Sequence, residues 1–112
     1  MLTSPVEALR QLFLFEERPN LRPRYNAAPT DELPIVRLTK QGRRELVIAR
    51  WGLIPYWAKD KDIGYRTINA RVDSLAIKPA FREAYRKRRC LVLANGFYEW
   101  HTEGKIKQPY LI

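Results

Sequence analysis

The sequence predicts an α+β fold with a largely antiparallel sheet. Only two segments have the periodicity of a helix, and several short apolar runs are typical of strands. One Asn-Gly pair between two such runs is a hairpin signal. The length of 112 residues allows one domain at most, and 46% hydrophobic with 29% charged residues is a globular composition.

The first predicted element is a helix over residues 4–15. Ser4 suits the N-cap, Pro5 suits the first turn, and Glu7, placed three residues after Ser4, completes a capping box. Residues 16–23 carry two prolines and mixed charges, which predicts a loop.

Two strands are predicted next, at Pro34–Leu38 and Glu45–Trp51, with a turn that contains Gly42 between them. Pro55 and clustered aromatic residues then predict a shaped loop over residues 52–61. A short strand is expected at Tyr65–Ile68.

The hairpin signal lies near the end of the chain. Asn95-Gly96 is a pair favoured in type I′ turns, and the runs Cys90–Ala94 and Phe97–His101 flank it as the two strands.

The last predicted strand is Ile106–Ile112. Pro109 cannot donate to a sheet ladder, so this strand belongs at an edge or a bulge. An open final strand invites self-association through its edge.

The net charge points to a polyanionic partner. The chain has 21 Lys and Arg against 12 Asp and Glu, which gives a formal charge of +9 and a pI near 10.1. A predicted amphipathic helix over residues 79–88 concentrates the positive charge. Nucleic acid is the first candidate partner, and a solvated basic face that binds nothing is the alternative.

Several classes of protein are excluded or disfavoured by what the sequence lacks. No apolar run approaches the ~18–20 residues of a membrane-spanning helix, and the N-terminus does not resemble a signal peptide. Cys90 is the one cysteine and His101 the one histidine, so neither an internal disulfide nor a metal motif can be assembled. We expect a small intracellular protein with no metal, cofactor or membrane partner, and a buried, inert Cys90.

Four residues are candidates for a functional site. Glu99 lies among aromatic residues, which would desolvate its carboxylate and suit it for acid–base chemistry; a buried ion pair with an arginine is the alternative. Asn69 and Arg71 form a compact polar pair that suits phosphate, or else a turn with an ion pair. Trp57, in an aromatic loop, suits base stacking, although a core position is the alternative.

Seven motifs in a fixed order resemble one family. They are residues 24–30 (RYNAAPT), 50–57 (RWGLIPYW), 67–71 (TINAR), 78–82 (KPAFR), 89–92 (RCLV), 96–100 (GFYEW) and 107–110 (KQPY). In these motifs the chain resembles the SRAP family, the SOS response-associated peptidases that process abasic sites in single-stranded DNA. The resemblance implies a barrel-like antiparallel sheet with flanking helices and a basic DNA groove. It also implies that residues 1–112 are the N-terminal part of a single SRAP-like domain.

The resemblance implies a mechanism and a site. A mature N-terminal cysteine captures the ring-opened sugar aldehyde as a thiazolidine crosslink, after an autopeptidase step removes the initiator Met. Asn69 and Glu99 are the implied catalytic residues, Asn69 holding the lesion and Glu99 acting as acid and base. The implied DNA-binding residues are Arg24, Asn26, Pro29, Trp57 and Arg71.

The chain lacks two residues that the family mechanism requires. It begins Met1-Leu2-Thr3 where the family begins Met-Cys-Gly-Arg, and the second catalytic histidine of the family has no counterpart in it. We therefore expect residues 1–112 to form no covalent crosslink with abasic DNA. A mis-assigned start with a truncated end, or a degenerate relative, would explain the departures.

Three functions stay open from the sequence. The first is a cytoplasmic, DNA-binding SRAP-type enzyme represented by an incomplete chain. The second is a non-catalytic single-stranded nucleic-acid binder, and the third is a structural remnant that folds only with another chain.

Overall fold

The computed structural model describes residues 1–112 and shows an α+β fold with few helices and two antiparallel sheets. The two sheets are separate and form no closed barrel. No helix has the length and apolar character needed to cross a membrane. The elements are α1 Val6–Phe13, β1 Glu32–Leu38, β2 Arg44–Arg50, a 3-10 helix Lys61–Tyr65, α2 Arg82–Lys87, β3 Leu91–Val92, β4 Tyr98–Glu103 and β5 Ile106–Leu111.

The first sheet has the order β2-β1-β3, and β1 pairs antiparallel with both neighbours. In its centre, Ile35 lies opposite Val47 on one side and Val92 on the other. The two strands predicted around the Gly42 turn are confirmed as β1 and β2.

The core packs α1 against this first sheet. Ten of the 112 residues are buried, so the core is small for a chain of this length. Its apolar members are Leu9 from α1, Phe15, Val36 from β1, Leu46 from β2 and Leu93.

Helix α1 begins later than predicted. Pro5 occupies the N-cap position and makes no side-chain cap hydrogen bond. The capping box is wrong, because the Ser4 hydroxyl instead accepts a hydrogen bond from Asn95 Nδ2 at 2.8 Å. The Ser4 hydroxyl therefore bonds to a residue that is distant in sequence instead of capping the helix.

The same contact overturns the predicted hairpin at Asn95-Gly96. Asn95 Oδ1 accepts from the backbone N–H groups of Thr3 and Ser4 at 2.6 and 3.2 Å, and the Gly96 carbonyl accepts from the Met1 amine at 2.8 Å. These polar groups are therefore occupied by the N-terminal segment. The strands on either side diverge, with β3 pairing to β1 and β4 pairing to β5.

Strands β4 and β5 form a two-stranded ribbon, which turns at Gly104. Every residue of both strands is exposed. The exposed apolar side chains include Tyr98, Trp100, Tyr110 and Leu111, so this ribbon lacks the packed face that normally stabilises a hairpin.

Three other predicted elements differ from the structure. Residues 65–68 form no strand, because Tyr65 ends the 3-10 helix and the backbone of Thr67 bonds to other loops. The basic helix starts at Arg82 rather than at residue 79, since Lys78 and Pro79 lie in turns. The strand expected over residues 90–94 is limited to the two residues of β3.

Candidate nucleic-acid interface

The aromatic loop over residues 52–60 is held at its base by two glycines in close contact. Gly52 has φ +124°, a conformation that side chains other than glycine rarely adopt. A Cβ atom on Gly52 would lie 2.5 Å from the Gly64 carbonyl oxygen. The loop can therefore approach the 3-10 helix this closely only with glycine at position 52.

Thr67 fastens the same loop from the other side. It is the one buried polar residue, at 8% exposure. Its hydroxyl donates to the Leu53 carbonyl and lies 3.2 Å from the Ile63 carbonyl, while the Leu53 N–H donates to the Thr67 carbonyl at 3.4 Å. Thr67 thus joins the aromatic loop, the 3-10 helix and the segment that leads to Asn69.

The loop presents two aromatic side chains to solvent. Tyr56 is 74% exposed and Trp57 is 48% exposed. The indole N–H of Trp57 donates to the Pro79 carbonyl at 3.4 Å, which anchors one edge of the ring beside the basic segment. The remaining indole surface is available for contact with a planar base.

The basic segment over residues 78–89 keeps most of its charge free of internal partners. Arg88 lies 3.5 Å from Glu83, and the Arg89 guanidinium lies 4.9 Å from the centre of the Tyr85 ring. The exposed cations without an ion pair are Lys78, Arg82, Arg86 and Lys87. Trp57 therefore borders a surface that can attract phosphate.

Arg24 joins the N-terminal segment to the loop over residues 26–31. Arg24 and Leu2 exchange two backbone hydrogen bonds of 2.7 Å, and the Arg24 guanidinium lies 2.9 Å from the Asp31 carboxylate. The Ala28 N–H donates to that carboxylate at 3.0 Å. This backbone hydrogen bond, with a smaller contribution from Arg24, lowers the pKa of Asp31 despite an opposing desolvation effect.

The contacts of Asp31 with Arg24 and Ala28 shape the loop that carries Asn26 and Pro29. Both residues are exposed. Beyond them, Thr30 and Asp31 bond through their backbone to Trp51 at 2.8 and 2.9 Å. This loop is therefore fixed against the end of β2.

Trp51 also links the loop to the candidate polar pair. Its indole N–H donates to the Ile68 carbonyl at 2.9 Å, directly before Asn69. Asn69 is exposed and makes no internal hydrogen bond, so its amide is free for a ligand.

Arg71 is 79% exposed at its side chain and bonds to the Asp73 carboxylate at 3.2 and 3.3 Å. An exposed ion pair of this kind is weak, so phosphate can replace Asp73.

Glu99 lies apart from these residues, in the β4–β5 ribbon. It is exposed, sits opposite Tyr110, and lines a shallow depression with Trp100, His101, Tyr110 and Ile112. It pairs with no arginine. Neither the desolvated carboxylate nor the buried ion pair expected from the sequence is present, because β4 has no strand or helix packed on either face.

The structure therefore gathers most, but not all, of the candidate residues. Backbone and side-chain hydrogen bonds of Trp51 and Thr67 join the segments of Asn26, Trp57 and Asn69. Glu99 is connected to them only indirectly, since Met1 bonds to Gly96 and Leu2 bonds to Arg24. Thr67 and Asp31 were assigned no role from the sequence; a threonine at the start of the Thr-Ile-Asn-Ala-Arg motif and an aspartate after a Pro-Thr pair were the available signals.

The groups that this surface offers are cations, an exposed indole ring and a free amide. No group of three His, Cys, Asp or Glu side chains lies close enough together to hold a metal ion. Cys90 is exposed rather than buried, which corrects the sequence-based expectation. Partial desolvation raises the pKa of its thiol, which keeps it in the unreactive protonated form at neutral pH.

Comparison with known protein families shows the family to which the chain belongs. The model of the SOS response associated peptidase (SRAP) family matches residues 1–112, the whole chain. The chain belongs to the SRAP family. Similar curated SRAP relatives include the abasic site processing protein YoaM of Bacillus subtilis, 42% identical over 92 residues, and the abasic site processing protein HMCES of Gallus gallus, 38% identical over 102 residues.

Two solved structures are similar to this SRAP chain. A protein from Bacteroides thetaiotaomicron is 36% identical, with a TM-score of 0.61 over 73% of the chain. A protein from Bordetella bronchiseptica matches 96% of the chain with a TM-score of 0.74 and 23% identity, which supports the fold. The chain spans 40% of the length of YoaM, 30% of HMCES, and 35% and 52% of the two solved chains.

Proposed function

We propose that this SRAP chain binds single-stranded DNA at abasic sites as part of a DNA-damage (SOS) response. The observation that carries the proposal is the joining of Trp57 to the unpaired cations of the basic segment, through the bond from its indole to Pro79. Aromatic platforms beside positive charge are the usual means of holding single strands without sequence preference. The names of YoaM and HMCES supply the abasic site as the lesion.

The proposed path of the strand follows the residues that the loops hold together. Bases would stack on Trp57, the backbone phosphates would contact the basic segment and Arg71, and Asn69 would face the lesion. Arg24 would stabilise the loop of Asn26 and Pro29 rather than bind phosphate, since Asp31 already neutralises it. We also propose that the protein is cytoplasmic, and at the nucleoid when it is bound to DNA.

The covalent chemistry of the family needs groups that residues 1–112 do not supply. Thiazolidine formation begins when an N-terminal amine condenses with the sugar aldehyde and releases water. The thiol of the same cysteine then adds to the imine carbon and its proton passes to nitrogen. Cys90, the only cysteine, lies within the chain, so its sulfur has no adjacent free amine. We propose that residues 1–112 bind abasic DNA without crosslinking it.

A gel experiment tests this proposal. The chain is incubated with a single-stranded oligonucleotide that carries one abasic site, and half of each sample is denatured. We expect a shifted band in the native gel and none in the denaturing gel. A band that survives denaturation would contradict the non-covalent proposal, and the absence of any native shift would contradict DNA binding.

At the level of the fold, we propose that residues 1–112 are the N-terminal part of a single SRAP domain. The exposed ribbon and the share of each relative that the chain covers support this proposal. The barrel-like sheet that the family resemblance implies would join the ribbon to the first sheet.

A further inference from the structure

Thr30 has a backbone conformation that is unfavourable for its residue type. Its φ is +74°, in the left-handed region, and it is one of two residues other than glycine with a positive φ. In this region Cβ lies close to the following carbonyl oxygen, and a β-branched side chain adds to the crowding. The other residue, Leu14, caps the C-terminus of α1, where helices commonly end in a left-handed residue.

Residues 28–31 form a turn that requires this conformation. The Asp31 N–H donates to the Ala28 carbonyl at 3.0 Å, and Pro29 and Thr30 are the two central residues. A proline at the first central position and a positive φ at the second are features of a type II turn. Glycine or asparagine normally occupies the second position, so Thr30 lies where a β-branched side chain is poorly tolerated.

The surrounding hydrogen bonds hold the turn in this form. The Thr30 N–H donates to the Trp51 carbonyl at 2.8 Å, and the Trp51 N–H donates to the Asp31 carbonyl at 2.9 Å. The Asp31 carboxylate accepts from the Ala28 N–H at 3.0 Å. A strained residue persists where its surroundings fix it in this way. All of these groups lie between residues 28 and 51, so the strain is a local property of this loop and the end of β2.

The side chain of Thr30 takes no part in holding the turn. Each of these bonds is made by backbone groups or by the Asp31 carboxylate, so glycine at position 30 would form the same turn without the strain. Strained residues cluster at ligand-binding sites, where the strain belongs to the function. A half-buried threonine at this position is therefore a candidate for a contact outside the turn.

Thr30 lies within the surface proposed to bind single-stranded DNA. Pro29 precedes it and is exposed. Trp51, which bonds to Thr30, donates its indole N–H to the carbonyl directly before Asn69. One residue thus connects Thr30 to the segment that would face the lesion.

We propose that Thr30 is a contact residue for the bound single strand, with its hydroxyl donating to a phosphate oxygen. This inference rests on the proposed binding of single-stranded DNA. Threonine hydroxyls are among the groups that proteins use to contact phosphates. The neighbouring Asp31 carboxylate lies 2.9 Å from the Arg24 guanidinium, which reduces its repulsion of a phosphate at this position.

The stability of the fold and its DNA affinity should respond oppositely to Thr30→Gly. Glycine relieves the strain, so the unfolding midpoint in urea should rise. The affinity for a single-stranded oligonucleotide should fall about threefold to tenfold, the loss expected for one hydrogen bond. Leu14→Gly is the matched control, because it relieves the same kind of strain at the end of α1. It should raise the midpoint and leave the affinity unchanged.

Two further variants isolate the hydroxyl. Thr30→Val keeps the β-branched shape and the strain, so it should lose as much affinity as Thr30→Gly while its urea midpoint stays near that of the unchanged chain. Thr30→Ser keeps the hydroxyl and should bind as the unchanged chain does. A neutral hydroxyl releases no counterion, so the slope of log affinity against log salt should be the same in all of these variants.

Fluorescence anisotropy measures the affinities, and circular dichroism checks that each variant is folded. Thr30 is not a contact residue if Thr30→Val binds as tightly as the unchanged chain, if Thr30→Gly lowers the urea midpoint, or if Leu14→Gly loses as much affinity as Thr30→Gly. Trp57→Ala, measured beside them, separates the two proposals: weaker binding in that variant alone leaves the proposed function standing. An unchanged chain that does not bind the oligonucleotide would overturn both.

Discussion

At the scale of single residues, Trp57 is the most important residue for the proposed binding of single-stranded DNA. Its indole N–H is satisfied by a backbone carbonyl, which is the usual arrangement for a tryptophan with one polar and one free surface. This hydrogen bond restricts the ring before a ligand arrives. A base that stacks on it therefore pays a smaller cost for ordering the side chain.

Replacement of Trp57 by alanine should weaken binding of single-stranded DNA. Loss of one stacked base costs about 1–3 kcal/mol of binding free energy. Trp57→Phe should keep most of the affinity, because the aromatic face remains. Trp100→Ala is the matched control, since Trp100 is 61% exposed but lies in the ribbon. Fluorescence anisotropy measures all three, and an equal loss in both alanine variants would count against stacking on Trp57.

Asp31 gives a pH-dependent prediction at the same scale. The pKa of its carboxyl is lowered in the folded chain, mainly by the hydrogen bond from the Ala28 N–H. Its contribution to stability is therefore fully present above the unfolded pKa of about 3.9 and is lost as the pH falls toward the lower folded value. Asp31→Asn should reduce the unfolding midpoint in urea at pH 7, and the difference from the unchanged chain should shrink below pH 4.

The control for this experiment is Asp73→Asn. Asp73 is also paired with an arginine, but its pair with Arg71 is exposed. Exposed pairs contribute little to stability, so this variant should unfold near the same urea concentration as the unchanged chain. If the two variants lost the same stability, the hydrogen bond from Ala28 would have no special role.

At the scale of elements, local patterns located four strands, β1, β2, β4 and β5, but predicted the contacts between distant segments poorly. The alternation of apolar residues around Gly42 was sufficient to locate β1 and β2. The Asn95-Gly96 signal failed because Asn95 and Gly96 bond to Met1, Thr3 and Ser4, more than 90 positions away in sequence. No local pattern contains that information.

The candidate site was predictable to a similar degree. Residue types identified Trp57, Asn69 and Arg71 as candidates, and the structure joins their segments. The exposure of Glu99 was not predictable from its aromatic neighbours, since it depends on what packs against β4, and no strand or helix covers either face of the ribbon.

Thr67 is the positioning residue for the aromatic loop. Thr67→Val keeps the shape of the side chain but removes its hydroxyl, which leaves the Leu53 carbonyl without that donor. We expect a loss of about 1–3 kcal/mol in the free energy of unfolding and weaker binding of single-stranded DNA. Thr67→Ser restores the hydroxyl and should recover DNA affinity. Urea unfolding and anisotropy separate the two effects, and a Thr67→Val variant with unchanged affinity would contradict the positioning role.

At the scale of the whole molecule, two properties dominate: a small core and a large positive charge. The core of five apolar residues lies between α1 and the first sheet, so much apolar surface stays exposed elsewhere. The charge of +9 is concentrated outside the β4–β5 ribbon. The molecule thus separates a basic surface from a ribbon whose formal charges cancel.

The most direct test of the account is the salt dependence of binding to a single-stranded oligonucleotide, measured by anisotropy for the unchanged chain, Arg71→Ala and Arg37→Ala. Both variants remove an arginine from an exposed ion pair, but Arg37 lies on β1, outside the proposed path of the strand. Each phosphate contact contributes about one unit to the slope of log affinity against log salt. We expect Arg71→Ala to flatten this slope by about one unit and Arg37→Ala to leave it unchanged. No measurable binding, or the same slope for all three proteins, would contradict it.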